Sequence, residues 1–268
     1  MANDNKESSF FRQVGVCLTR CMRGFVNEKG WKQLVSVGII TILIASVTGD
    51  DIFVSFKATR NGSFALVCAC IWTGIFNSIR SICRERDIIR REHRTGLKMS
   101  AYVMAHMLYE GLLSMSEALA ATVLTWVVNR SHFMKGGVIF PAGIEMWIEF
   151  FLIIYASDIM AMMISSVVTN ENVAMTVMPF ALIIQMIFSG TVFELEGIPE
   201  KFSHLTISRW GMNALSASAD VNSMSFISYY KELESTPANL GKTWLILLAF
   251  AVLYGGLSWV ALLNVDRY

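Results

Sequence analysis

Charge is scarce in this chain: 16% of its 268 residues are charged, against 54% hydrophobic. That balance excludes an ordinary soluble domain and points to an all-α integral membrane protein. The formal net charge is only +1, so no basic surface is offered to nucleic acid. Cysteine stops early, at Cys17, Cys21, Cys68, Cys70 and Cys83, which leaves the later loops without a disulfide framework. Cys17 and Cys21 lack the second ligand pair of a zinc site and read as free thiols on a helix. No secretory leader pattern is visible, because the N-terminus is polar and the first long apolar run begins near Leu34. A complete phosphate-binding loop is also missing. Gly241-Lys242-Thr243 resembles the end of one, but Thr236 stands where its first glycine belongs. That tripeptide reads as a membrane-flanking turn, and the chain is expected to bind no ATP, metal or other cofactor by itself.

What is abundant is apolar sequence in long runs. A helix needs about 20 apolar residues to cross the hydrocarbon core. Six runs qualify: Trp31–Thr48, Phe64–Ile82, Ala101–Val128, Ile144–Val168, Val173–Gly190 and Thr243–Leu263. The third and fourth are long enough to tilt or protrude. Ile198–Leu215 is shorter, punctuated by Gly, Pro and Arg, and reads as a broken or re-entrant element on the outer side. Lysine and arginine set the orientation. Fourteen lie in the N-terminal segment, in the second connection and at Arg267, while eight, including Lys57, Arg60, Lys135 and Arg209, fall on the other side. Both termini are therefore expected in the cytoplasm of a multi-pass protein of the cell membrane. Residues 1–30 form a cytoplasmic lead and residues 31–268 the six-span domain.

Two segments outside the spans carry pattern. In Phe10–Val26, Phe11, Val14, Leu18, Cys21, Met22 and Phe25 recur at helical spacing, with Arg12, Arg20 and Arg23 between them. This predicts an amphipathic helix at the inner interface. Between the second and third runs lies a dense charge block, Cys83–Lys98. A stiff charged segment continuous with two spans is suited to receive force from a soluble motor. The turn Thr169-Asn170-Glu171-Asn172 offers a second, smaller cytoplasmic contact.

Acidic residues within spans are costly and face protein or a wet cavity. Glu110 and Glu117 share a face of the third span, seven residues apart, and Asp158 sits mid-way along the fourth. Pairing between helices, a proton path, and an enzyme site built with His106 remain open readings; a metal site lacks a third convergent ligand. Ser114, Ala118 and Thr122 form a small-residue stripe that allows close packing. Asn61-Gly62-Ser63 and Asn129-Arg130-Ser131 fit the glycosylation pattern in outer loops but read as chance matches.

Three separated stretches together resemble the type-2 ABC transporter permeases, in particular the G-subfamily (White-like) exporters. They are the block with Glu85, Glu92, Gly96 and Ser100-Ala101-Tyr102, the run Met186–Gly190, and Ile207–Gly211 with Ala214-Leu215. Gln13, Leu18 and Arg20 are similar to that family's connecting helix. The resemblance implies a dimer of membrane domains, each resting on a nucleotide-binding subunit or domain that carries ATP and magnesium. It implies coupling through Glu85, Arg86, Arg90, Arg91, Glu92 and Gly96, with salt bridges to the connecting helix. It also implies a substrate path at Thr73, Phe76, Asn77, Ile183 and Met186, and an outer plug at Thr191 and Val192. About thirty residues precede the first span, so the motor is expected on a separate subunit or on a longer parent chain. An exporter of a hydrophobic or amphipathic substrate (lipid, drug-like molecule or peptide) is the leading expectation. A proton-coupled secondary transporter and a membrane-embedded enzyme are its rivals.

Overall fold

The computed structural model describes residues 9–48, 52–130, 133–134, 136–193, 195–224 and 231–263. Lys6, Ser131, Lys135 and Arg267, which enter the orientation and glycosylation readings, lie outside them. Among the described residues there are ten α-helices and no strand. This is an all-α membrane protein. Helix α1 (Phe10–Asn27) precedes α2 (Trp31–Thr48) and α3 (Phe56–Ser78). A 3-10 turn at Cys83–Glu85 then leads into the short α4 (Arg86–Arg94). Helices α5 (Met99–Val128), α6 (Ala142–Val167) and α7 (Glu171–Ile187) follow, then α8 (Ile198–Ser203), α9 (Ile207–Ser218) and α10 (Pro237–Leu262).

Five of the helices, α2, α3, α5, α6 and α10, are long and apolar enough to cross a membrane; α7 is apolar with 17 residues. At 1.5 Å per residue α7 spans about 25 Å, slightly less than the hydrocarbon thickness. The broken segment is observed as α8 and α9, parted at residues 204–206.

Burial ranks these helices. In α6, 72% of the most apolar stretch is buried, against 17% in α2, so α6 is the central post and α2 lies at the periphery with apolar residues all round. Helices α3, α5, α9 and α10 pack around α6, and Phe150, Ile153 and Ile154 are sealed at its middle. The α3–α6 crossing is set by Gly74: a Cβ there would stand 2.5 Å from the Ile154 carbonyl oxygen and 2.9 Å from the Asp158 nitrogen. The small-residue stripe Ser114, Ala118 and Thr122 is buried as expected from its spacing.

Two readings need correction. Helix α3 begins at Phe56, not Phe64, so Asn61-Gly62-Ser63 is helical rather than part of a loop. Its polar first turns are tolerated because Arg60 donates to the Gly190 carbonyl at 3.0 Å and Gly62 lets Ile52 approach closely. Gly241-Lys242-Thr243 lies inside α10 rather than in a turn; that helix starts at Pro237, capped by the Thr236 hydroxyl accepting from the Asn239 N–H. Helix α1 forms over the expected segment; Gln13, Val14 and Cys17 are buried against the bundle, whereas Phe11 and Met22 are exposed.

Candidate functional site

The charge block folds back on α1 at one end of the bundle. Helix α4 stops at Thr95 in a Schellman arrangement: the Gly96 N–H bonds to the His93 carbonyl and the Leu97 N–H to that of Glu92, both at 3.0 Å. Gly96 has φ +102°, a conformation that strains any side chain. Gln13 of α1 reads this turn with both ends of its carboxamide. Its Nε2 donates to the Gly96 carbonyl at 3.1 Å, and its Oε1 accepts from the Lys98 N–H at 2.9 Å.

Two turns further along α1, Arg20 joins the two acids of the block. Its Nη1 donates to both carboxylate oxygens of Glu92 at 2.7 and 2.9 Å, and its Nη2 donates to Glu85 Oε2 at 3.2 Å. The Tyr102 hydroxyl of α5 donates to the same Glu85 oxygen at 3.1 Å, and the Arg20 guanidinium lies 5.9 Å from the Tyr102 ring centroid. Burial opposes the Arg20 charge, but the Glu92 hydrogen bond and the attraction of Glu85 and Glu92 outweigh it, so its pKa is raised. Helices α1, α4 and α5 thus meet at one guanidinium. The ion pairs between block and α1 that the resemblance implies are present.

The far side of the block is tied to α6. Ser165 Oγ accepts the backbone N–H groups of Ile82 and Cys83 at 3.1 and 3.0 Å. The Arg86 guanidinium donates to the Val168 carbonyl just after α6. Burial first, and then the Arg90 charge, lower the Arg86 pKa from its ordinary value. Arg90 stands 4.0 Å from Asp87, and Arg91 Nε donates to the Asp87 carbonyl at 3.3 Å. Beside this face, Asn170 caps α7 by accepting the Val173 N–H, so the turn at residues 169–172 leads into a helix start beside α4.

Glu28 and Arg84 make a further bridge, with Arg84 nitrogens donating at 2.6 and 2.9 Å. The Arg84 hydrogen bond lowers the Glu28 pKa. A depressed carboxylate contributes stability that is present above its unfolded value and lost as pH falls through the folded one. The bridge is therefore complete at neutral pH. Because both side chains are more than half exposed, Glu28→Gln is expected to cost less than about 1 kcal/mol, read as thermal unfolding in detergent.

Within the bundle Glu117 and Asp158 find hydrogen-bond partners on other helices. Asn77 Nδ2 donates to Glu117 at 2.9 and 3.0 Å, and Asp158 accepts from Ser114 at 2.6 Å and Ser78 at 3.4 Å. Glu110 Oε2 is buried without a partner. His106 contacts Tyr102 and Cys21 instead of joining this group. Cys21, whose burial pushes its thiol up to about 12, is a neutral thiol of low reactivity. Among the described residues no cluster of three or more His, Cys, Asp or Glu could hold a metal.

The residues of the implied substrate path divide. Phe76, Ile183 and Met186 are exposed on α3 and α7, which adjoin, and Asn77 is half-buried. Thr73 is turned inward against Val37, Thr41, Ala121 and Phe150. Thr191 and Val192 follow α7, half-buried and exposed respectively. Sequence reasoning missed Glu28, Ser165 and Val168 as anchors of the block, and Glu145, which accepts the N–H groups of Val138, Ile139 and Phe140. Nothing local marks the first three; Glu145 sits in the first turn of α6, where an acid complements the helix dipole.

Comparison with known proteins agrees with this architecture. The ABC-2 type transporter family matches residues 12–219. The chain is 24% identical over 229 residues to the ABC transporter ATP-binding/permease protein Rv1747 of Mycobacterium tuberculosis, an alignment covering 81% of this chain and 26% of that protein. It spans about a quarter of that relative's length. The family match extends from α1 through the charge block to the end of α9, so the chain belongs to the ABC-2 type transporter family, as a membrane-embedded permease domain.

Proposed function

We propose that this chain is the permease of an ATP-driven exporter, working as a dimer around a central path in the cell membrane. Each copy would rest through α4 and the start of α7 on a nucleotide-binding subunit or domain. Both termini would face the cytoplasm. The substrate would be hydrophobic or amphipathic, since Phe76, Ile183 and Met186 present apolar and aromatic surface from α3 and α7. Thr191 and Val192 would close the outer end.

The observation that carries this reading is the Arg20 junction. Motion imposed on α4 would pass through Glu85 and Glu92 to α1, and through Tyr102 directly to α5. Arg86 and Ser165 would carry the same motion to α6. Coupling of this kind requires a rigid contact with two arrangements, biased by ATP in the motor. Glu85, Arg86, Arg90, Arg91, Glu92 and Gly96 would be its working residues on this chain, while ATP and magnesium would be held by the partner.

The test is uptake into inside-out vesicles containing the chain and its nucleotide-binding partner, with a fluorescent amphipathic probe. Uptake that requires hydrolysable ATP and persists after a protonophore is the expected result. Uptake that collapses with the protonophore and ignores ATP would move the function to Glu110, Glu117 and Asp158.

A further inference from the structure

At the end of the bundle opposite the charge block lies a cavity of about 500 Å³. One wall is a single stripe of α9: Arg209, Met212, Asn213 and Ser216 recur at helical spacing along it. Arg60 of α3 stands across from that stripe, and the turn after α7 closes one side. Two guanidiniums meet at this turn. Arg60 donates to the Gly190 carbonyl, and Arg209 Nη1 fills the space where a Gly190 side chain would begin.

Two residues of this cavity's wall, Arg209 and Ser216, carry donors without acceptors. Arg209 pairs with Glu232 through Nη2, yet its Nε is buried without a hydrogen-bond partner. The hydroxyl of Ser216, a residue 1% exposed, is likewise unpartnered. Buried donors of this kind are costly unless an acceptor reaches them. The rim has the opposite character: Glu196 and Glu200 line it and are exposed. A simple anion would meet repulsion at that rim, and a simple cation would leave the inner donors unsatisfied.

We propose that this cavity binds a zwitterionic head group, with a phosphate or carboxylate inward at Arg60, Arg209 Nε and Ser216 Oγ. Its ammonium lies outward at Glu196 and Glu200. Placing the cavity on the release side of the membrane rests on the permease reading; binding itself does not. The head group can belong to a bilayer lipid or to a free solute.

The test is native mass spectrometry of the full chain in maltoside micelles, with lipids of identical acyl chains. The probes are phosphatidylethanolamine, phosphatidylglycerol and diacylglycerol, with free phosphoethanolamine as competitor. Phosphatidylethanolamine is expected to be retained over the other two. Ser216→Ala and Arg60→Gln should each weaken it about tenfold, or about 1.4 kcal/mol. Glu200→Gln should weaken phosphatidylethanolamine while strengthening phosphatidylglycerol. Displacement by free phosphoethanolamine would identify the head group alone as sufficient; failure to displace would identify the lipid as the ligand. Retention independent of head group, tighter phosphatidylglycerol binding, or indifference to Ser216→Ala would overturn the proposal. Ser216→Ala removes one oxygen and keeps the packing, so it remains informative if Arg60→Gln does not fold. Transport is not read, so these outcomes are independent of whether ATP drives the protein.

Discussion

Arg20→Ala is expected to separate ATP hydrolysis from transport, lowering substrate moved per ATP by about tenfold or more, with insertion into the membrane retained. A coupling free energy of 1–3 kcal/mol corresponds to roughly 5- to 150-fold. Arg20 bonds both Glu85 and Glu92 and stands against Tyr102. Without it, two half-exposed carboxylates lose their shared cation, while Glu85 keeps the Tyr102 hydroxyl. Arg20→Lys should rescue little, because a lysine ammonium cannot serve two carboxylates with the fork of a guanidinium. Glu92→Ala, which deletes the two-oxygen contact, should reproduce most of the effect; Glu85→Ala should reproduce less. The readout is ATPase activity and transport measured on the same proteoliposomes. Coupled transport at wild-type stoichiometry in Arg20→Ala and Glu92→Ala together would remove the junction from the mechanism.

Gly74→Val is expected to prevent accumulation of folded protein. The first atom of any side chain at this position would lie 2.5 Å from the Ile154 carbonyl oxygen, 2.8 Å from Ser157 Cβ and 2.9 Å from the Asp158 nitrogen. Two of these are backbone atoms of the central helix, so relief requires α3 and α6 to separate. Separation also breaks the Ser78–Asp158 bond one turn below. Overpacking in a tight interior costs about 1–3 kcal/mol, and more where backbone must move. Gly255→Ala provides the contrast. Its new methyl would press on the Sδ and Cε atoms of Met107, at 2.6 and 2.7 Å, with Ile159 Cγ2 at an ordinary 3.8 Å, and a methionine end can swing aside. That variant should cost less than about 1 kcal/mol. Size-exclusion profiles and thermal unfolding of both proteins in detergent check the pair. Equal behaviour would mean that the α3–α6 approach is looser than the Gly74 geometry requires.

How far the sequence discloses this architecture depends on the range of the interaction. Trp31–Thr48 is delimited correctly by its apolar run because lipid contact is a local property of each residue. The start of α3 is not. Lys57, Arg60 and Asn61 look like loop residues until Arg60 is seen to bond Gly190, 130 positions away. The charge block is legible from composition, and its acids from family likeness. Its anchors at Ser165 and Val168 are not, since a serine at a span end carries no mark of the two N–H groups it will accept. The seating of α1 has the same origin. Hydrophobic periodicity marks its apolar face, but not that Gln13 and Arg20 will bond α4 and its following turn. Thr73 illustrates the limit on the path residues: its neighbour Phe76 faces out while Thr73 packs inward, a division set by which side α6 occupies.

The most direct measurement is site-specific photo-crosslinking from Asp87, whose side chain is 94% exposed at the start of α4, with exposed Lys201 at the opposite end as control. The account expects the Asp87 probe to capture a protein or domain bearing a complete nucleotide-binding motif, with a yield that changes when ATP is trapped, and the Lys201 probe to capture none. Transport that continues while Asp87 crosslinks only lipid, or crosslinks no nucleotide-binding protein, would contradict it.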